Sequence, residues 1–177
     1  MNLQDNDFEL FGIAPQFAQD RAALEARWKD LQREAHPDKF AAQGAAAQRV
    51  AMQWSVRINE AYGRLKDPLK RAAYLCELQG AAIGAENNTA MPPEFLMQQI
   101  EWREALDDAA SDADLTQLIA QVARLRRELL QQCGQLLDVE HQPGLAAQKV
   151  RALMFVERFA SEADDRLDRM DTAGKGQ

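Results

Sequence analysis

The chain has 177 residues and a formal net charge of −7, from 21 basic and 28 acidic side chains. This acidic balance disfavours general attraction to nucleic acid or to an anionic membrane. Nine glycines, six prolines and the lack of alternating β-branched runs predict an almost wholly helical protein. Its length suits one large domain or two small ones, and a composition shift near residue 80 favours two.

The N-terminus is polar, with Asp5, Asp7 and Glu9 where a secretory signal would carry basic and then apolar residues. No long apolar run that would suit a membrane span occurs in the sequence. Cys76 and Cys133 are isolated, which fits a reducing compartment and indicates core packing for both thiols. The sequence therefore predicts a soluble cytoplasmic protein.

Two helical segments flank the tripeptide His36-Pro37-Asp38. Pro37 removes a backbone donor and disfavours the helical conformation at His36, so the first helix must end there and the chain must turn. A short exposed loop between two helices is predicted. The apolar stripes that define these helices are Leu24, Trp28, Leu31 and Ala35 before the loop, and Val50, Trp54, Ile58, Ala61 and Leu65 after it.

Glycine, asparagine and proline replace helix formers between residues 79 and 93, which indicates a domain boundary. We predict a first domain at 1–78, a linker at 79–91 and a second domain at 92–173. Three apolar stripes in the second domain predict a three-helix bundle. These stripes are Phe95, Trp102, Leu106 and Ala109; then Leu115, Leu118, Val122, Leu125, Leu129 and Leu136; and, after the break at Pro143-Gly144, Leu153, Val156, Ala160 and Leu167.

The first helix of the second domain has a second apolar face, formed by Leu96, Met97 and Ile100. Between residues 92 and 114 there are seven carboxylates against Arg103 alone, a local balance of −6. An exposed apolar patch with an acidic rim is typical of a protein-binding site, and its partner surface should be basic. The alternative is that these residues face a third helix and that the acids are simply solvated.

Two parts of the sequence resemble the J-domain co-chaperones, whose signature is a His-Pro-Asp loop between two antiparallel helices. They are the tripeptide and the segment 58–74, which reads INEAYGRLKDPLKRAAY. A J-domain followed directly by a small acidic bundle is similar to the HscB type of iron–sulfur co-chaperone. This resemblance covers nearly the whole chain. It also involves the segments Phe8–Gly12, His36–Phe40, Arg71–Leu75, Phe95–Met97 and Glu101–Glu104.

The resemblance implies two partners, an HscA-type heat-shock ATPase for the J-domain and an IscU-type scaffold for the C-terminal domain. His36, Pro37 and Asp38 then form the ATPase trigger, in which Asp38 would pair with an arginine of the ATPase. Lys29 and Arg33, four residues apart on one helix face, are candidates for electrostatic docking or are ordinary solvated charges. The implied scaffold-binding residues are Leu96, Met97, Ile100, Glu101, Glu104, Asp108 and Phe155. For Phe155, a packing role and an exposed role both stay open.

Two other functional classes fit these residues less well than a dedicated iron–sulfur co-chaperone. A general J-domain co-chaperone would present unfolded clients to a DnaK-type chaperone, although an acidic rim favours one complementary partner. An enzyme is disfavoured, because the sequence has neither a phosphate-binding glycine loop nor a nucleophile with a histidine and an acid nearby. His36 and His141 are the only histidines and lie in different predicted domains, so no metal and no cofactor are expected.

Overall fold

Every regular element that the structure describes is helical, which confirms the predicted all-α fold class. The computed structural model describes residue 2 and residues 4–84 and 93–174, without the side chains of 93, 94 and 171–174. A 3₁₀ turn (Pro37–Gln43) and a π turn (Gln135–Val139) accompany the α-helices. In chain order these helices are α1 (Asp7–Phe11), α2 (Arg21–Glu34), α3 (Ala45–Lys66), α4 (Pro68–Leu78), α5 (Pro93–Asp108), α6 (Asp112–Gly134) and α7 (Pro143–Gly174).

The chain divides into two compact units, Met1–Leu75 and Cys76–Gln177, so the division falls within α4. We call them the N-terminal unit and the C-terminal unit. Residues 85–91 of the predicted linker lie outside the described residues, and the predicted boundaries at 78 and 92 stay predictions.

In the N-terminal unit, α2 and α3 pack against each other, and α1 contacts both. Leu31, Ile58 and Leu65 of the predicted stripes are fully buried in this core, together with Phe8 and Phe11 of α1. Val50 is the exception, because its side chain is 51% exposed.

A buried ion network joins α1 to α3. Asp7 is fully buried and receives two hydrogen bonds from the Arg64 guanidinium, at 2.6 and 3.0 Å. Arg57 Nη1 lies 2.6 Å from Asp7 Oδ1, while its Nη2 donates to the Asp5 carbonyl at 2.9 Å. The Asp7 amide donates to the Tyr74 hydroxyl at 3.0 Å, which extends the network to α4. Asp7 therefore connects three helices, through its carboxylate to α3 and through its backbone amide to α4.

Asp7→Asn is expected to destabilise the N-terminal unit by about 3 kcal/mol, because removing one partner of a buried ion pair leaves the other charges uncompensated. Two guanidinium groups would lose their counter-charge in this variant. Denaturant unfolding followed by circular dichroism measures the effect. Glu25→Gln is the matched control, since that carboxylate pairs with Lys29 on the surface and should contribute little. A stability of Asp7→Asn equal to that of the control would contradict the network's role.

The C-terminal unit is the predicted three-helix bundle, in which α7 packs along α6 and α5 packs on α6. Trp102 and Leu106 of α5 are buried, as are Leu115 and Val122 of α6 and Leu153 of α7. Ser111 and Asp114 form a capping box that begins α6. The backbone between α6 and α7 turns at His141, which has a positive φ of 53°, and α7 then begins at Pro143.

The predicted α6 stripe is displaced at its C-terminal end. Leu136 is only half-buried, whereas Cys133 and Leu137 are buried. The displacement begins at Cys133 within α6, and Leu136 and Leu137 lie in the π turn that follows, in which the Glu140 amide donates to the Gln135 carbonyl, five residues back. A wider turn changes which side chains face the core. On α7, likewise, the core positions near the end are Phe159 and Ala163, while Ala160 and Leu167 are half-buried.

Both cysteines are free and buried, in agreement with the packing role predicted for them. Burial raises the pKa of the Cys76 thiol to about 11 and that of the Cys133 thiol to about 12. Because the thiolate is the reactive species, neither side chain is a nucleophile near neutral pH.

Candidate functional site

The His36-Pro37-Asp38 loop forms the start of the 3₁₀ turn. His36 has extended backbone angles, as expected before a proline, and it caps the turn. Its Nδ1 accepts a hydrogen bond from the Asp38 amide at 3.3 Å. A neutral imidazole that accepts at Nδ1 carries its proton on Nε2, so the outer edge of the ring can donate to a partner.

Asp38 is the most accessible group of this loop, with 90% of its side chain exposed. Its carboxylate lies 3.6 Å from His36 Nδ1. In the described parts of the chain it forms no ion pair with a lysine or an arginine. An exposed carboxylate on a short turn is able to receive a guanidinium, and the pairing of Asp38 with an arginine of a partner stays a prediction.

Lys29 and Arg33 lie on the surface of α2, with side chains 60% and 75% exposed. Both are already paired: Lys29 Nζ lies 2.7 Å from Glu25 Oε1, and Arg33 contacts Asp30. The hydrogen bond to Glu25 raises the pKa of Lys29 and lowers that of Glu25. Sequence reasoning missed these pairs, although the four-residue spacing of Glu25 and Lys29 was a signal. Exposed pairs of this kind are weak enough to be exchanged for a partner's acid.

The second apolar face of α5 is exposed. Leu96, Met97 and Ile100 expose 46%, 65% and 59% of their surfaces, while Trp102 on the opposite face exposes only 3%. The alternative in which these residues face a third helix is therefore wrong. We call Leu96, Met97 and Ile100 the α5 patch.

The acidic rim of the α5 patch consists of Glu101, Glu104 and Asp108, all exposed. Arg103 is the nearest basic residue in the sequence, but it pairs with Glu162 of α7. Its positive charge therefore does not neutralise the acids of the rim. Among the described residues, none of the three acids forms an ion pair. The rim therefore presents uncompensated negative charge beside apolar surface, which suits a partner with basic residues around an apolar contact.

Phe155 of α7 is partly exposed and belongs to an aromatic cluster. Its ring meets Phe95 edge-on, with centroids 5.7 Å apart, and stacks on Phe159 at 6.2 Å. Phe159 in turn stacks on Trp102 at 5.4 Å. Phe155 thus combines the two roles left open by the sequence, since one side of its ring packs and the remainder is accessible. Phe159, which fixes its position, was not singled out from the sequence.

In the portion of the chain that the structure describes, no group of three or more His, Cys, Asp or Glu side chains could hold a metal ion. The described helices also include none that is long and apolar enough to cross a membrane.

The chain is similar to known proteins over nearly its whole length. A family model described as the HSCB C-terminal oligomerisation domain matches residues 91–164. The co-chaperone protein HscB homologues of Burkholderia multivorans and Burkholderia cenocepacia are 51% and 50% identical over 175 residues, covering 97% of this chain and 99% of each relative.

Two solved structures have the same fold over nearly the whole chain. Chaperone HscB from Vibrio cholerae has a TM-score of 0.81 at 35% identity and covers 94% of this chain and 99% of its own. Human co-chaperone protein HscB has a TM-score of 0.82 at 25% identity, covering 97% of this chain and 84% of its own. The full-length identity to the bacterial relatives decides the assignment: this chain belongs to the HscB family of J-domain co-chaperones, which serve iron–sulfur cluster biogenesis.

Proposed function

We propose that this chain brings an IscU-type scaffold protein to an HscA-type heat-shock ATPase and stimulates ATP hydrolysis by that ATPase. The main support for this proposal is that the exposed His36-Pro37-Asp38 loop and the exposed α5 patch belong to different compact units. Each unit thereby offers one protein-binding surface of distinct chemistry. The chain itself supplies no catalytic step in this proposal, and we place its action in the cytoplasm.

On the ATPase side, Asp38 would bind an arginine of the ATPase, and the Nε2 proton of His36 would add a directed hydrogen bond. A ligand changes a conformational equilibrium only by binding one state better than another. Asp38 would therefore stimulate hydrolysis by pairing with an arginine that is positioned correctly only in the hydrolysing state. Lys29 and Arg33 would contribute to electrostatic attraction at longer range.

On the scaffold side, Leu96, Met97 and Ile100 would provide the apolar contact, with the exposed part of Phe155 at its margin. Glu101, Glu104 and Asp108 would select a scaffold surface that carries basic residues, because charged rims contribute more to specificity than to affinity. A general client-presenting chaperone would instead require a surface tolerant of many partners.

ATP hydrolysis by the HscA-type ATPase, measured with this chain, the scaffold and both together, tests the proposal. We expect stimulation by both together to exceed the sum of the separate effects, since the chain would link scaffold and ATPase in one complex. Stimulation that is independent of the scaffold, or that occurs only with a DnaK-type chaperone and unfolded clients, would contradict the proposal and favour a general co-chaperone.

A further inference from the structure

A chain of exposed and partly buried hydrogen bonds joins α2 to α3 next to the His36-Pro37-Asp38 loop. Asn59 Oδ1 accepts from Trp28 Nε1 at 2.9 Å and from Gln32 Nε2 at 2.8 Å. Gln32 Nε2 also donates to the Ser55 carbonyl at 3.2 Å, and the Ser55 hydroxyl donates to the Ala35 carbonyl at 3.3 Å. We call Trp28, Gln32, Ser55 and Asn59 the interhelical clamp.

The interhelical clamp ends at the residue that begins the loop. Ala35 is the C-cap of α2 and directly precedes His36. The last carbonyls of a helix have no partner within it, so the Ser55 hydroxyl supplies a donor that α2 cannot. By this contact α3 holds the backbone at the point where the chain leaves α2.

Apolar packing between α2 and α3 would not fix the backbone at the end of α2 as closely as these hydrogen bonds do. Leu31 and Ile58 are fully buried beside the clamp and determine how closely α2 and α3 approach. Apolar burial is not directional, however, whereas a hydrogen bond is strongly angle-dependent. Since two donors from different turns of α2 meet at one Asn59 oxygen, the rotation and axial position of α2 relative to α3 are both restricted.

We infer that Asn59 is a positioning residue for ATPase stimulation, which acts through Gln32, Ser55 and Ala35 to hold the His36-Pro37-Asp38 loop in the orientation that binds the ATPase. This inference rests on the proposed function. Asn59 itself would touch neither the ATPase nor the scaffold. Its removal broadens the range of loop orientations without altering the groups that the loop presents.

The expected kinetic signature follows from population shift. When only a fraction of molecules is competent to bind, the apparent dissociation constant increases by the inverse of that fraction. Asn59→Ala should therefore raise the concentration needed for half-maximal ATPase stimulation by about threefold to tenfold, for a competent fraction of roughly one third to one tenth. The plateau at saturation should stay unchanged, because the bound molecules still present Asp38.

The experiment compares the wild-type full chain with three variants, each of which carries a single substitution. Asn59→Ala removes the shared acceptor and improves intrinsic helix propensity, so α3 should persist. Asn59→Asp keeps an acceptor oxygen for both donors and should restore the half-stimulating concentration to within about twofold of wild type. Gln53→Ala is the control, because Gln53 is exposed on α3 outside the interhelical clamp and should have no effect.

NMR signals of the His36 imidazole and the Asp38 amide provide the second measurement. They should shift or broaden in Asn59→Ala and return to their wild-type positions in Asn59→Asp. If circular dichroism shows that Asn59→Ala loses helix, Ser55→Ala is used in its place. This variant removes only the donor to the Ala35 carbonyl and should also raise the concentration needed for half-maximal stimulation.

Unchanged half-stimulating concentrations in both Asn59→Ala and Ser55→Ala would overturn the inference, as would the same increase in Gln53→Ala. Failure of Asn59→Asp to restore the wild-type value would also count against it. Asp38→Ala in the same assay separates the two hypotheses. If Asp38→Ala stimulates normally, the proposed function fails; if it does not stimulate while Asn59→Ala and Ser55→Ala both behave as wild type, only the positioning role fails.

Discussion

Asp38→Ala is expected to reduce stimulation of the HscA-type ATPase by roughly 10- to 150-fold, since hydrogen bonds to a charged group contribute about 1.5–3 kcal/mol. The side chain is exposed and forms no ion pair with a described lysine or arginine, so its loss should not disturb the N-terminal unit. Steady-state ATP hydrolysis at saturating co-chaperone measures the plateau. Scaffold affinity, measured by calorimetry, should equal that of wild type.

Glu34→Ala is the matched control for this prediction. Glu34 is another exposed carboxylate, at the end of α2, and it lies 3.8 Å from Arg27. If Glu34→Ala reduced stimulation as strongly as Asp38→Ala, the loss would reflect general surface charge near the loop. Loss of scaffold binding in Asp38→Ala would mean that the two surfaces are coupled, contrary to the proposed division between the units.

The double substitution Leu96→Ala with Ile100→Ala is expected to weaken scaffold binding by about 2–3 kcal/mol, or roughly 30- to 150-fold, because central apolar contacts dominate interface energetics. Both side chains are about half exposed in the free chain, so the C-terminal unit should keep its stability. ATPase stimulation measured without scaffold should be retained, while the additional stimulation with scaffold should disappear.

Val139→Ala with Leu145→Ala is the matched control, since these residues expose 63% and 44% of their surfaces elsewhere on the C-terminal unit. Their truncation removes similar apolar area away from the α5 patch and should leave scaffold affinity unchanged. Equal loss of affinity in both double variants would contradict a localised patch. Retained affinity in the Leu96 and Ile100 variant would assign scaffold binding to another surface.

The two surfaces differ in how readily they could be located from sequence. His36-Pro37-Asp38 is a contiguous motif whose proline ends a helix, so its exposed turn could be predicted from local chemistry. The α5 patch was predicted from helical spacing, but its exposure depended on whether another helix covers Leu96 and Ile100. The binding roles of both surfaces stay predictions for the experiments above.

Contacts that join distant segments could not be read from periodicity. Asp7 appeared in the sequence only as one of several N-terminal acids, yet it is fully buried between Arg57 and Arg64. Asn59 lies in a segment recognised for its resemblance to a family, but its hydrogen bonds to Trp28 and Gln32 depend on the rotation of α2 against α3. Such a rotation is set by packing across the whole helix pair.

The sequence by itself determined the helical class, the turn at Pro37, the family and the two apolar faces of α5, because these follow from local backbone preference and from side-chain spacing along one helix. Only the tertiary structure decided that Val50 is exposed, that Leu137 rather than Leu136 is buried, and that Phe155 packs edge-on against Phe95. These outcomes depend on which surfaces and side chains meet in space, and a one-dimensional pattern does not contain that information.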